Sequence, residues 1–278
     1  KKVGASSKTK EYIRSQELEV TRTSGVKTLN GLTIHKGYGL RVEDREISLN
    51  VPDVVKIIAV YESKTSAKPT LDKLKFVSGL NLNLNAIVGE KVVGEDSRAV
   101  GQIVSAPNST DISFVYLNSN KFTIGEVVTF KESGIESILQ QTEAGNFVDR
   151  TNNFVLEKGH THQYCGYSKI VRKAKSAIPS KKLLVVFDKY DVPIGNTGDL
   201  FSVNSYTSDR YSKDIPSVGF NRASDILDFR PRVQNYDLAS TGSPFSFNNR
   251  LFTSETPFVI TPNESSILGF SFYLPRID

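Results

Sequence analysis

Metal-ligand residue types crowd together at one place in this chain. Residues 157–167, "EKGHTHQYCGY", hold two of the three histidines and the only cysteine, spaced H-x-H-x-x-C. As a strand leaving the "EKG" turn, the stretch sends successive side chains to opposite faces. His160, His162 and Tyr164 then share one face, and Thr161, Gln163 and Cys165 the other. A single ion bound by both histidines and Cys165 needs a bulge between them, and no fourth ligand lies nearby. The residues therefore read as half-exposed strand histidines backed by a buried cysteine. One route to a metal remains: H-x-H strands gathered by three-fold symmetry surround one transition-metal ion with six imidazoles. Outside a trimer, His160 and His162 hold nothing, and the expectation is neither metal nor cofactor.

Oxygen ligands cluster at 188–199, "DKYDVPIGNTGD", where Asp188, Asp191, Asn196 and Asp199 could surround calcium. The loop lacks the EF-hand spacing and its terminal Glu, and a Pro-Gly-Asn turn accounts for the same residues. Asp225 and Asp228 could pair as carboxylates, but no histidine accompanies them. A β-fold hydrolase would need Asp188, Asp191, Asp225 and Asp228 to converge. Phosphate-loop, dinucleotide, zinc-protease and nucleophile-elbow signatures are all missing. The sequence offers no catalytic residue, and a non-enzyme is expected.

Two stretches are better suited to contacts. "KIVRKAKSAIPSKK" (169–182) concentrates Lys169, Arg172, Lys173, Lys175, Lys181 and Lys182. No aromatic residues interleave with these cations, which points to an acidic protein face before nucleic acid. "SDILDFRPRV" (224–233) sets Leu227, Phe229, Pro231 and Val233 against Asp228, Arg230 and Arg232. Pro231 has no N–H to donate, so this is an edge strand or a strand exit, where a charged row guards the edge or meets a partner. Arg172, Lys173, Arg230 and Arg232 are the expected partner contacts.

The elements that must carry these residues read as β throughout. The chain has 278 residues, 38% of them hydrophobic, with net charge +5, 16 Phe, 11 Tyr and no Trp. One cysteine excludes an intrachain disulfide. Methionine is absent even at position 1, as in a piece of a longer chain. No run of about 18 apolar residues could span a membrane. Residues 1–30 read as a polar N-terminal arm or linker. Residues 31–79 read as a β segment that packs with the later β domain. Within it "GLRVEDREISLNV" alternates around a turn at 43–45, and "VVKIIAVYES" (54–63) is a strand buried on both faces. "PTLDKLKF" (69–76) reads as a short helix, with Leu71 and Leu74 three apart.

Residues 80–143 read as a small β-barrel-like module lying between β-sandwich-like segments. "LNLNLN" (80–85) alternates as a strand. "IVGEKVVGE" from Ile87 and "TIGEVVTFK" from Thr123 form an internal repeat 36 residues apart. Each places Gly-Glu at a strand entrance, a bend followed by an exposed acid. Residues 144–235 form a β-rich domain and 236–278 a C-terminal β segment. The expectation is an all-β, multi-domain chain.

The wording of three runs carries a resemblance: "KLLVVFDKYDVP", "GDLFSVNSY" and "DRYSKDIPSVGFNRASDILDFRPRV". With "DRTNNFVLEKG" (149–159) and "YCGYSKIVRK" (164–173), they make residues 145–235 resemble virion structural proteins of contractile-tailed marine phages of the cyanophage type. The resemblance implies a tail, baseplate or fibre component acting by assembly. It further implies other virion proteins as partners, a homo-oligomer with a trimer favoured, and localisation in the virion after assembly in the host cytoplasm. It brings no catalytic residues. The alternative is a receptor- or glycan-binding module of a tail fibre, contacting a host-surface glycan through Tyr116, Asn118 and Asn120. No specific nucleic acid and no membrane span are expected.

Overall fold

The computed structural model describes residues 9–21, 38–39, 41–49, 51, 53–158, 168–191, 205, 217–218 and 221–222. His160, His162, Cys165, Asn196, Asp199, Asp225, Asp228, Arg230, Arg232 and segment 236–278 lie outside them. The fold is all-β and multi-domain, dominated by antiparallel sheets.

The central sheet grows from the densest apolar runs. β4 (Val54–Ser63) pairs antiparallel with β14 (Leu183–Asp191). β14 alternates between two cores. Leu183, Val185 and Phe187 face one, while Leu184 and Val186 face the other. A strand buried on both faces needs apolar residues in unbroken succession, and "LLVVF" supplies them. β1 (Glu11–Val20) covers the other edge of β14, with Tyr12 opposite Tyr190 and Leu18 opposite Val185. The expected polar arm over 1–30 is thus corrected: its second third is a sheet strand. Its charged residues hid this, because β1 is an edge strand and Glu11, Glu17 and Glu19 are exposed on it.

A second sheet closes one face of the first. β12 (Phe154–Glu157), β13 (Lys169–Arg172) and β3 (Glu46–Ser48) run antiparallel, and β2 (Tyr38–Gly39) joins β3 in parallel. Val42, Ile47, Leu49, Phe154 and Ile170 meet Val54, Val60, Val185 and Phe187 in a dry core, the interior of a β-sandwich. The alternation of Ile47 and Leu49 in the sequence is this inward face.

A closed six-stranded barrel covers the opposite face of the central sheet. Its strands are β5 (Asp72–Phe76), β6 (Lys91–Gly94), β7 (Val100–Ser105), β8 (Asp111–Tyr116), β9 (Val127–Phe130) and β10 (Glu136–Glu143). They close in the order β10-β5-β8-β7-β6-β9, every neighbour antiparallel. Leu74, Phe76, Ile103, Ile112, Phe114, Phe130 and Leu139 fill the interior. The barrel interrupts a hairpin, since β11 (Phe147–Asp149) returns to pair with β4 directly, Phe147 opposite Ser63. Tyr61 and Phe147 stack across that pairing with ring centroids 3.8 Å apart.

Two local expectations change. The barrel opens at Asp72, not at residue 80, because 72–76 is a strand and not a helix. Leu74 and Phe76 point inward while Lys73 and Lys75 alternate with them, a period of two that the pair Leu71 and Leu74 obscured. "LNLNLN" is not a strand. Asn81 adopts a left-handed backbone, φ 49°, and starts a single helical turn, α1 (Leu82–Asn85), in which only Leu82 is buried. Asparagine tolerates that conformation better than most residues.

Candidate functional site

The most organised chemistry in the described residues lies in the barrel repeat and its junction with the central sheet. Glu90 stands immediately before β6, and its carboxylate is fully buried. It accepts hydrogen bonds from the N–H groups of Ile87 at 2.7 Å, Glu132 at 3.1 Å and Ser133 at 2.9 Å, and from the Ser133 hydroxyl. Glu126 stands in the same place before β9. It accepts from the N–H groups of Thr123 at 2.6 Å and Ser97 at 2.9 Å, and from the Ser97 hydroxyl at 2.9 Å. Each acid therefore holds its own entrance turn and the exit turn of the other copy. The expectation of exposed acids after Gly-Glu is corrected: both are among the most buried charged groups of the fold. A carboxylate tolerates burial when several N–H donors converge on it.

The repeat is carried by the backbone as well. Gly89 donates to the Ile103 carbonyl and Gly125 to that of Leu139, both at 2.8 Å. Arg98 and Gly134, at matching positions, both have left-handed φ, 53° and 71°. Bulges follow Ile103 and Leu139 alike. β6 and β9 pair antiparallel with Val93 opposite Thr129, so a two-fold axis through that pair relates the two halves. "GEKVVGEDSRA" and "GEVVTFKESGI" share G-E and a serine seven residues later, and the shared serine is the signal that identifies the acids' partners.

The barrel meets the sheet across a second buried acid. β1 bulges between Ile13 and Gln16, where Ser15 takes φ 53°. Asp188 of β14 is fully buried beneath the bulge. It accepts from the Ser15 N–H at 2.8 Å and the Tyr12 hydroxyl at 2.9 Å, and pairs with Lys56 at 3.2 Å. Gln102 of β7 reaches in from the barrel and donates to the Ser15 hydroxyl at 2.9 Å. Around this polar centre, Val104 and Val115 of the barrel pack on Ala59, Tyr61, Leu184 and Val186. At the rim the Arg14 guanidinium makes a two-pronged ion pair with Glu132, which raises its pKa above the usual arginine value. A Cβ at Gly89 would overlap the Arg14 side chain, so glycine is needed for the approach.

Asp188 is therefore part of this junction and not of a calcium loop. Asp191 pairs with Lys189 at 2.7 Å. Among the described residues no group of three or more His, Cys, Asp or Glu could hold a metal ion. No helix among them is long and apolar enough to cross a membrane.

The basic segment divides in two. Lys169 is buried and pairs with Glu46 at 2.7 Å and Glu157 at 3.2 Å. Arg172 is half-buried, and its guanidinium donates to the carbonyls of Ser176 at 3.3 Å and Glu43 at 3.4 Å. Buried Glu62 accepts from the N–H groups of Ser180 at 2.7 Å and Lys181 at 3.1 Å, and pairs with Arg150 at 2.8 Å, fixing the loop's return. Lys173, Lys175 and Lys181 are exposed, with Ile178 60% exposed among them. Arg172 thus shapes the loop whose surface Lys173 presents.

Asn118 and Asn120 brace the neighbouring turn at 98–100, and Tyr116 carries a lysine over its ring. Asn118 accepts from the Val100 N–H and donates to the Arg98 carbonyl, which Asn120 also reaches, and Lys121 lies over the Tyr116 ring at 3.6 Å. Searches of family models, curated proteins and solved structures give no match to the chain.

Proposed function

We propose that the chain is a structural component of a phage virion, a part of the tail, baseplate or fibre that works by binding its neighbours. The resemblance of residues 145–235 supplies the setting. The observation that carries the reading is how the buried acids are used. Asp44, Asp53, Glu62, Glu90, Glu126 and Asp188 are each held by backbone N–H groups, by a cation or by both. Such acids tie turns and modules together. This use of acids as internal braces is that of a structural part.

In this reading the protein is not an enzyme and needs no cofactor. Its partners are other tail proteins and further copies of itself, with a homotrimer favoured. The surface of the basic loop, Lys173 with Lys175, Lys181 and Ile178, meets an acidic neighbour, and Arg230 and Arg232 supply a second contact. Mass spectrometry of density-banded particles of the encoding phage tests the reading. The chain is expected in the particles at a fixed ratio to the tail proteins. Its presence in the lysate but not in the particles would overturn the assignment.

A further inference from the structure

The barrel's two-fold symmetry gives it two related outer faces, and among the described residues only one is covered. On the first, β1 crosses the barrel: Arg14 sits over Gly89 and grips Glu132, and Gln102 reaches the bulge. The copies of these residues, 36 positions away, form the second face: Gly125 for Gly89, Asp96 for Glu132 and Ile138 for Gln102. A Cβ at Gly125 would meet nothing within 4 Å. Asp96 is exposed, and Glu95 and Glu136 beside it are exposed acids. Ile138 is 52% exposed and lies opposite half-buried Val127, with Ile124 60% exposed at the entrance turn. Val77 lies one residue beyond the Phe76–Leu139 pair that borders this face. Where the first face offers Lys91 and Gln102, the second offers Val127 and Ile138, so these two positions change from polar to apolar beside an acidic rim.

We propose that this second face docks an arginine-bearing extended segment of another protein, seated as β1 is seated on the first. The acid at 96 takes the guanidinium, as Glu132 takes that of Arg14. The missing side chain at Gly125 admits the segment's backbone, and Ile124, Val127 and Ile138 cover its apolar residues. Arginine suits the site better than lysine because its planar fork matches a carboxylate at two points. The inference rests on the barrel's symmetry and holds whether or not the chain is a virion part.

The test is panning of a displayed library of short peptides on the full-length chain, counter-selected on the Asp96→Lys, Ile138→Asp double variant. Both positions are exposed, so the variant keeps the fold, which its melting temperature confirms. The expected peptides carry arginine beside an apolar residue, and their synthetic forms lose about tenfold or more in affinity on Asp96→Lys alone. Peptides that bind both proteins equally, or discriminating peptides without arginine, would overturn the proposal. The mass of the chain in solution is expected to be the same for wild type and double variant. A lower mass for the variant assigns the face to a second copy of this chain, which also overturns it.

Discussion

At the scale of single residues, a few buried acids hold the barrel's turns in place. Replacing Glu90 or Glu126 with alanine strands three or two part-buried N–H donors respectively, each worth about 1–3 kcal/mol when left without a partner. Each variant is expected to lose about 3 kcal/mol in urea unfolding, and the glutamine variants less, because one carbonyl oxygen remains to accept. A loss under about 1 kcal/mol for both alanine variants would mean that water replaces the carboxylate. Asp111 adds a dependence on pH. Burial pushes its carboxyl up, but hydrogen bonds from Asn108 and Thr110, with Lys75 and Lys73 nearby, hold it below the ordinary 3.8. A depressed folded value contributes stability that is full above the ordinary value and is lost as pH falls through the folded one. Asp111→Asn should therefore lower the melting temperature at neutral pH, with the gap closing as pH falls below the ordinary carboxylate range. A gap that stays constant with pH would contradict this account of the Asp111 hydrogen bonds.

At the scale of elements, the sequence showed most where apolar residues repeat and least where charged residues do structural work. β4 and β14 were legible because a strand buried on both faces must be apolar throughout. β1 was not, since its three exposed residues are all glutamates and its bulge hides the alternation. Gly-Glu was legible as a repeat, but burial of its acid depends on serines that only the barrel's closure brings near. The exposure of Lys173, Lys175 and Lys181 was legible in the basic run, whereas the internal role of Arg172 required its fold. The two glycines of the repeat give a matched comparison. Gly89→Ala and Gly125→Ala both place a side chain at left-handed φ, 83° and 94°, a penalty of about 1 kcal/mol. Only alanine at 89 also collides with Arg14. Gly89→Ala should lower stability more, and proteolysis should reveal β1 released from the barrel in that variant alone. Equal losses would show that β1 does not press on this turn.

At the scale of the whole molecule, the barrel, the central sheet and the outer sheet form successive layers, and Asp188 sits at the seam between barrel and central sheet. Such a body suits a symmetric assembly whose subunits must hold their shape. Light scattering on the purified chain is expected to give three times the monomer mass. One transition-metal ion per trimer would bring His160 and His162 into play as ligands. The most direct measurement is electron microscopy of intact particles decorated with antibody fragments raised against this chain. Label at a fixed level of the tail, in the same place on every particle, is the predicted result. Particles with complete tails and no label, whether intact or partly dismantled, would contradict the account.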